Sequence, residues 1–123
     1  MKNFDISENE DYPLHVAVKK NYSSCLRELV DLMQSDELAI ENRSGNTAFL
    51  IAAAMGRVEH AQLMFEKKGE LPSIRGDKEM LPIHIAAQGG HERMVEFLYK
   101  VQGPLAEMDS KKFFGKHPLF LIF

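Results

Sequence analysis

The sequence predicts an all-α solenoid of stacked antiparallel helix pairs with β-hairpin-like connecting loops, on three observations. A block recurs: Tyr12–Asn21 reads YPLHVAVKKN, Thr47–Gly56 reads TAFLIAAAMG and Leu81–Gly90 reads LPIHIAAQGG. Its second residues, Pro13, Ala48 and Pro82, lie 35 and 34 residues apart, and Pro118 in HPLFLIF follows after another 36. Behind each block the same offsets carry an apolar trio: Leu26, Leu29 and Val30, then Ala61, Met64 and Phe65, then Val95, Leu98 and Tyr99. That spacing places each trio on one helical face. A single pair this short cannot bury its apolar stripe, whereas stacked neighbours can.

The elements follow in order. Residues 1–10, MKNFDISENE, form an acidic N-terminal segment without the apolar stretch of a secretory signal. Three repeats then cover residues 11–116, at about 11–46, 47–80 and 81–116, and residues 117–123 read as a truncated fourth repeat or a tail. Within each repeat, proline or alanine opens a short helix, and a proline there costs no hydrogen bond. Ala17, Ala52 or Ala86 keeps the helix thin enough for close approach to its neighbours. Asn21, Gly56 or Gly90 then ends it, each a residue type that tolerates left-handed backbone. A second helix carries the trio back, and a turn-rich linker such as Glu41–Asn46, ENRSGN, closes the unit.

Composition narrows the function. The 123 residues suit one domain, and the hydrophobic 45% and charged 27% are those of an ordinary globular chain. With 15 basic and 18 acidic residues there is no broad basic face for nucleic acid. Cys25 is the only cysteine, so neither an internal disulfide nor a cysteine zinc cluster can form. The longest apolar run, Ala48–Met55, falls far short of the roughly 20 residues of a spanning helix.

These residues resemble the ankyrin repeat, whose signature is T-P-L-H-x-A with Gly-His near the helix turn. Pro13-Leu14-His15, Pro82-Ile83-His84, Gly90-His91 and Gly45-Asn46-Thr47-Ala48 carry the likeness. A narrower similarity, through GNTAFLIAAAMGRVEHAQLM and LPSIRG, is to plant ankyrin proteins with a C-terminal membrane-anchoring domain of the PGG type. That domain is not in this sequence. Such proteins are associated with plasma-membrane signalling, defence and stress responses. There are departures: Asn21 replaces glycine, Leu50 replaces histidine, and Glu79 stands where Gly45 stands one unit earlier, which predicts a less regular second tip.

The resemblance implies that His15 and His84 hydrogen-bond neighbouring loop backbone, with His91 behaving likewise. His60 and His117 show no partner pattern. HERMV misses the H-E-x-x-H zinc motif because Val95 occupies the second ligand position. Cys25 with His15 could make a nucleophile and base, but no third group orients them. Arg75-Gly76-Asp77 reads as a turn. No phosphate-binding loop is present. The sequence therefore predicts neither an enzyme nor a cofactor nor a metal site.

What it does predict is a protein-binding surface along the loop tips and the exposed ends of the first helices. The tip positions are Arg43, Ser44 and Asn46, then Asp77, Lys78 and Met80, then Phe113, Phe114 and Lys116. The helix positions are Lys19 and Lys20, Ala54 and Met55, and Gln88 and Gly89. Partner-binding residues are expected to be Lys19, Lys20, Arg43, Met55, Lys78, Met80, Phe113 and Phe114. Both lysines are expected to face solvent, and the methionines to supply adaptable apolar contact. Phe113 and Phe114 either bind the partner or cover the open end of the stack. The partner is a protein of unspecified identity, not nucleic acid or a membrane core, and the uncapped C-terminal end invites self-association. The expected location is the cytoplasm, at the plasma membrane if the chain belongs to a longer anchored protein.

Overall fold

The computed structural model describes residues 11–102. Helices α1 (Pro13–Lys19), α3 (Ala48–Met55) and α5 (Pro82–Gln88) form one layer. Helices α2 (Ser23–Leu32), α4 (Val58–Lys67) and α6 (Glu92–Gln102) form the second. Each first helix returns into its partner through a turn of three residues or fewer, which makes the pair antiparallel. The stack grows because α3 packs against both α1 and α5, while α4 packs against α2 and α6.

Local chemistry sets the helix boundaries. Pro13 and Pro82 occupy the first helical positions. Thr47 caps α3 by accepting the Leu50 amide at 3.1 Å, so the unit that lacks the motif histidine starts its helix with a hydroxyl instead. In the flanking units the histidine does this work: Tyr12 N–H donates to His15 Nδ1 at 3.2 Å and Leu81 N–H to His84 Nδ1 at 3.4 Å. At the other end Asn21, Gly56 and Gly90 adopt left-handed backbone, with φ of 62°, 72° and 75°, as the sequence predicts. Asparagine substitutes for glycine at the first of these because its short polar side chain tolerates that region.

The core lies between the layers and between successive units. Phe49, Ala17, Ala52 and Ala86 of the first helices and Leu26, Ala61, Met64, Val95 and Leu98 of the second are fully buried. Burial of Phe49 alone contributes about 1.5–3 kcal/mol relative to exposure. The connecting loops are hairpin-like in one respect only. Asn42 N–H donates to the Asn46 carbonyl at 2.9 Å, and Gly76 N–H to the Met80 carbonyl at 2.9 Å, closing the two tips. No ladder extends from either closure, and among the described residues there is no strand. Short 3-10 turns at Ser35–Ala39 and Leu71–Ser73 carry the chain out of the second helices instead.

The second tip is irregular, as Glu79 predicts: Lys78 and Glu79 both have left-handed backbone, with φ of 62° and 60°. Replacing Glu79→Gly is expected to stabilise the chain by about 0.4–1 kcal/mol, since glycine adopts that conformation without the side-chain penalty. Gly56→Ala should do the reverse. The alanine methyl would lie 2.6 Å from Nδ1 of His91, in a left-handed residue, so a loss of about 1–2 kcal/mol or more is expected. Urea unfolding of the two variants measures both signs.

Candidate partner-binding surface

The loop tips are held by polar groups that begin with Asp11. Its carboxylate is only 1% exposed; Lys19 Nζ donates to it at 2.6 Å and Asn42 Nδ2 at 2.8 Å. Asn42 Oδ1 in turn accepts the amides of Ser44 at 3.0 Å and Asn46 at 3.1 Å, shaping the first tip from within. His15 joins the helix layer to that tip. Its Nδ1 accepts the Tyr12 amide, so the proton sits on Nε2, which donates to the Asn46 carbonyl at 3.0 Å. Asn46 Oδ1 then accepts the Asp77 amide at 3.1 Å and ties the first tip to the second. The tips approach so closely that a methyl group on Gly76 would lie 2.5 Å from Asn46 Oδ1 and from Leu50 Cδ1.

On this frame the expected binding residues fall into different environments. Lys20 is exposed just beyond α1, and Met55 is 41% exposed at the corresponding place on α3. Arg43 is exposed on the first tip and Lys78 on the second, while Met80 is half-buried at the base of the second. Lys19 differs from expectation: it is half-buried and bound to Asp11, so its charge is engaged within the fold instead of facing solvent. Phe113 and Phe114 lie outside the described residues, as do Lys116, His117 and the 117–123 tail.

Several residues that sequence reasoning assigned little role bridge successive units. Arg57 reaches back from the start of α4 to the end of α1, its Nε donating to the Val18 carbonyl at 2.8 Å and Nη2 to that of Lys19 at 3.2 Å. His91 Nε2 donates to the Ala54 carbonyl at 2.9 Å, as its motif position implies. Lys67 Nζ reaches the carbonyls of Val30 and Asp31 at the end of α2. His60, which shows no partner pattern in the sequence, is buried and bonds through Nε2 to Ser23 Oγ at 3.0 Å. For Arg57 and His91 alone, which occupy one repeat position, the alignment carries a hint of a shared role. Only the aligned units reveal it.

Both His15 nitrogens are taken by Tyr12 and Asn46, which leaves none to serve as a base toward Cys25. Among the described residues no group of three His, Cys, Asp or Glu side chains is placed to hold a metal ion. No helix among them is long and apolar enough to cross a membrane.

Comparison with known proteins agrees with this geometry. A family model for ankyrin repeats in three copies matches residues 1–75, and one for a single ankyrin repeat matches residues 79–112. An ankyrin repeat-containing protein of Arabidopsis thaliana is 28% identical over 112 residues, covering 86% of this chain and 21% of that protein. The human transient receptor potential cation channel subfamily A member 1 is 31% identical over 88 residues, covering 72% of this chain and 8% of the channel. The chain thus spans about a fifth or less of the length of these relatives.

The buried histidines predict a pH dependence. Burial is the main force holding the pKa of His15 below its ordinary value; for His60, burial acts first and the Arg57 charge second. Both are therefore neutral in the folded chain and take up protons more readily when it unfolds. Stability should be full above the ordinary histidine value of about 6.5 and decline as pH falls below it. Denaturant midpoints measured between pH 7.5 and 5.5 should show the decline, and His15→Gln should flatten part of it.

Proposed function

We infer the function from one premise: the chain belongs to the ankyrin-repeat family, whose members are non-catalytic scaffolds for protein–protein interaction. The reading is a protein-binding module whose partner meets the loop tips and the exposed ends of the first helices. The observation that carries it is the exposure of Lys20 and Met55 at corresponding places at the ends of α1 and α3, which pack against each other. Methionine adapts its shape to a partner, and an unengaged lysine steers an acidic one. Arg43, Lys78 and Met80 extend this surface along the tips, which Asn46 and Asp77 hold in fixed relation before any partner arrives. Lys19 supports it indirectly, by anchoring Asp11.

The division into repeats at 11–46, 47–80 and 81–116 belongs to the same proposal, with Phe113 and Phe114 contributing either to the partner surface or to the end of the stack. A second reading makes the chain the cytosolic regulatory portion of a longer membrane-associated signalling or defence protein. It is favoured by the short share of each relative that the chain spans, one of which is a cation channel by name. Spanning segments encoded downstream of Phe123 in the transcript would support it.

The test is capture of a partner by the full chain, followed by the combined substitutions Lys20→Ala, Met55→Ala and Met80→Ala. Affinity should fall at least several-fold while the helical far-UV spectrum is kept, because the two exposed positions change stability by about 0.5 kcal/mol or less. Undiminished affinity would move the interface to Glu59, Gln62 and Glu66, all exposed on α4.

A further inference from the structure

His60 carries a polar atom that the fold does not use. The residue is 4% exposed and its Nε2 bonds Ser23 Oγ, but Nδ1 is enclosed without a hydrogen-bond partner. A buried polar atom left in that state is costly. The repeat does not require a histidine here. Four residues past the terminators Asn21 and Gly90, the same position holds Cys25 and Met94. The ring lies over the first turn of α4, since helical side chains lean toward the N-terminus of their own helix. No side chain caps that turn. The Val58 amide is taken by the Gly56 carbonyl, and those of Glu59 and His60, next along, have no partner within the helix.

The same turn borders a cavity of about 220 Å³, lined in part by Arg57, Glu59 and His60, by Asn21 of the preceding unit and by Arg93 of the following one. Arg57 spends Nε and Nη2 on the carbonyls of Val18 and Lys19, but its charge stays at the cavity wall. Arg93 and Asn21 are exposed, so the cavity opens to solvent. Glu59 sets one negative charge against the two arginines. We propose that this cavity binds a phosphate group, seated on the first turn of α4 between Arg57 and Arg93. One phosphate oxygen accepts the amides of Glu59 and His60, where the helix start presents partial positive charge. A second accepts the proton of His60 Nδ1. Ser23 fixes that tautomer by donating its hydroxyl to Nε2, which leaves the ring proton on Nδ1. Arg93 and the Asn21 side-chain amide donate from the two flanks. A carboxylate is the poorer ligand, having two oxygens for donors set on three units. The site includes none of Lys20, Arg43, Met55, Lys78 and Met80, so it is separate from the partner-binding surface.

The experiment titrates the full chain with inorganic phosphate at neutral pH and follows backbone amides and histidine ring nitrogens by NMR. Chloride at matched ionic strength is the control. The Glu59 and His60 amide signals should shift saturably with phosphate and not with chloride, and the His60 proton should be found on Nδ1. Arg93→Ala, at an exposed position, should weaken binding on the order of tenfold while the far-UV spectrum is kept. Glu59→Gln should strengthen it several-fold, because the opposing charge is gone. A short glycine peptide carrying one phosphoserine separates the two sources of the group. Binding at least as tight as that of inorganic phosphate assigns the site to phosphorylated side chains, and weaker binding assigns it to small free phosphates. The proposal is overturned if chloride reproduces the shifts, or if none saturates, in which case water alone fills the cavity. It is also overturned if the His60 proton lies on Nε2 in the saturated chain, or if Arg93→Ala and Glu59→Gln leave the affinity unchanged.

Discussion

Helices of seven to eleven residues leave a large share of their backbone groups without intrahelical partners, and the stack is organised around satisfying them. An isolated seven-residue helix is far below the length that is stable in water. Here the last carbonyls of α1 are taken by Arg57, those of α2 by Lys67 and that of Ala54 in α3 by His91. In each case the donor sits on the following unit. The start of α1 is satisfied by His15, which also fixes the next tip through Asn46. A unit therefore completes its neighbour's hydrogen bonding as well as burying its neighbour's apolar face. Hydrophobic burial alone would tolerate sliding between units, but these directional bonds set their register.

The same constraint separates residues available for binding from those consumed by folding. Lys19 and Lys20 are adjacent and chemically alike, yet one neutralises a buried carboxylate and the other faces water. The histidines are spent on the fold as well: His15, His84 and His91 hydrogen-bond backbone groups, and His60 bonds to the Ser23 hydroxyl. Lys20 and Met55 stay exposed on the first-helix side, as Glu59, Gln62 and Glu66 do on α4.

Much of this was legible from the residues. Spacings of 35 and 34 between Pro13, Ala48 and Pro82, with the apolar trios behind them, fix the helix pairs, and Asn21, Gly56 and Gly90 fix where first helices stop. The irregular second tip followed from Glu79. The bridging roles of Arg57 and Lys67 and the Ser23–His60 bond were not legible, because their partners lie 36 to 39 residues away in sequence and two of them bond only to backbone. Backbone carbonyls leave no residue type to recognise. Nor was the fate of Lys19: its partner Asp11 stood at the edge of an acidic stretch that looked solvated, and only its enclosure by α1 and the first tip raises the value of the pair.

The sequence by itself determined the period, the helix pairs and the residues that end them, since each depends on local periodicity and on the conformations that proline, glycine and asparagine favour. Tertiary structure alone decided which polar side chains are free. Whether a lysine faces water or a buried aspartate depends on how the folded unit brings its own distant parts together: Asp11, Lys19 and Asn42 share one unit but meet only when α1 and the first tip are in place. The loops show the same division. Turn-forming residues predicted tips, but among the described residues no ladder extends beyond the closing bonds at Asn42–Asn46 and at Gly76–Met80, and the first tip is instead tied to the second through Asn46 and Asp77.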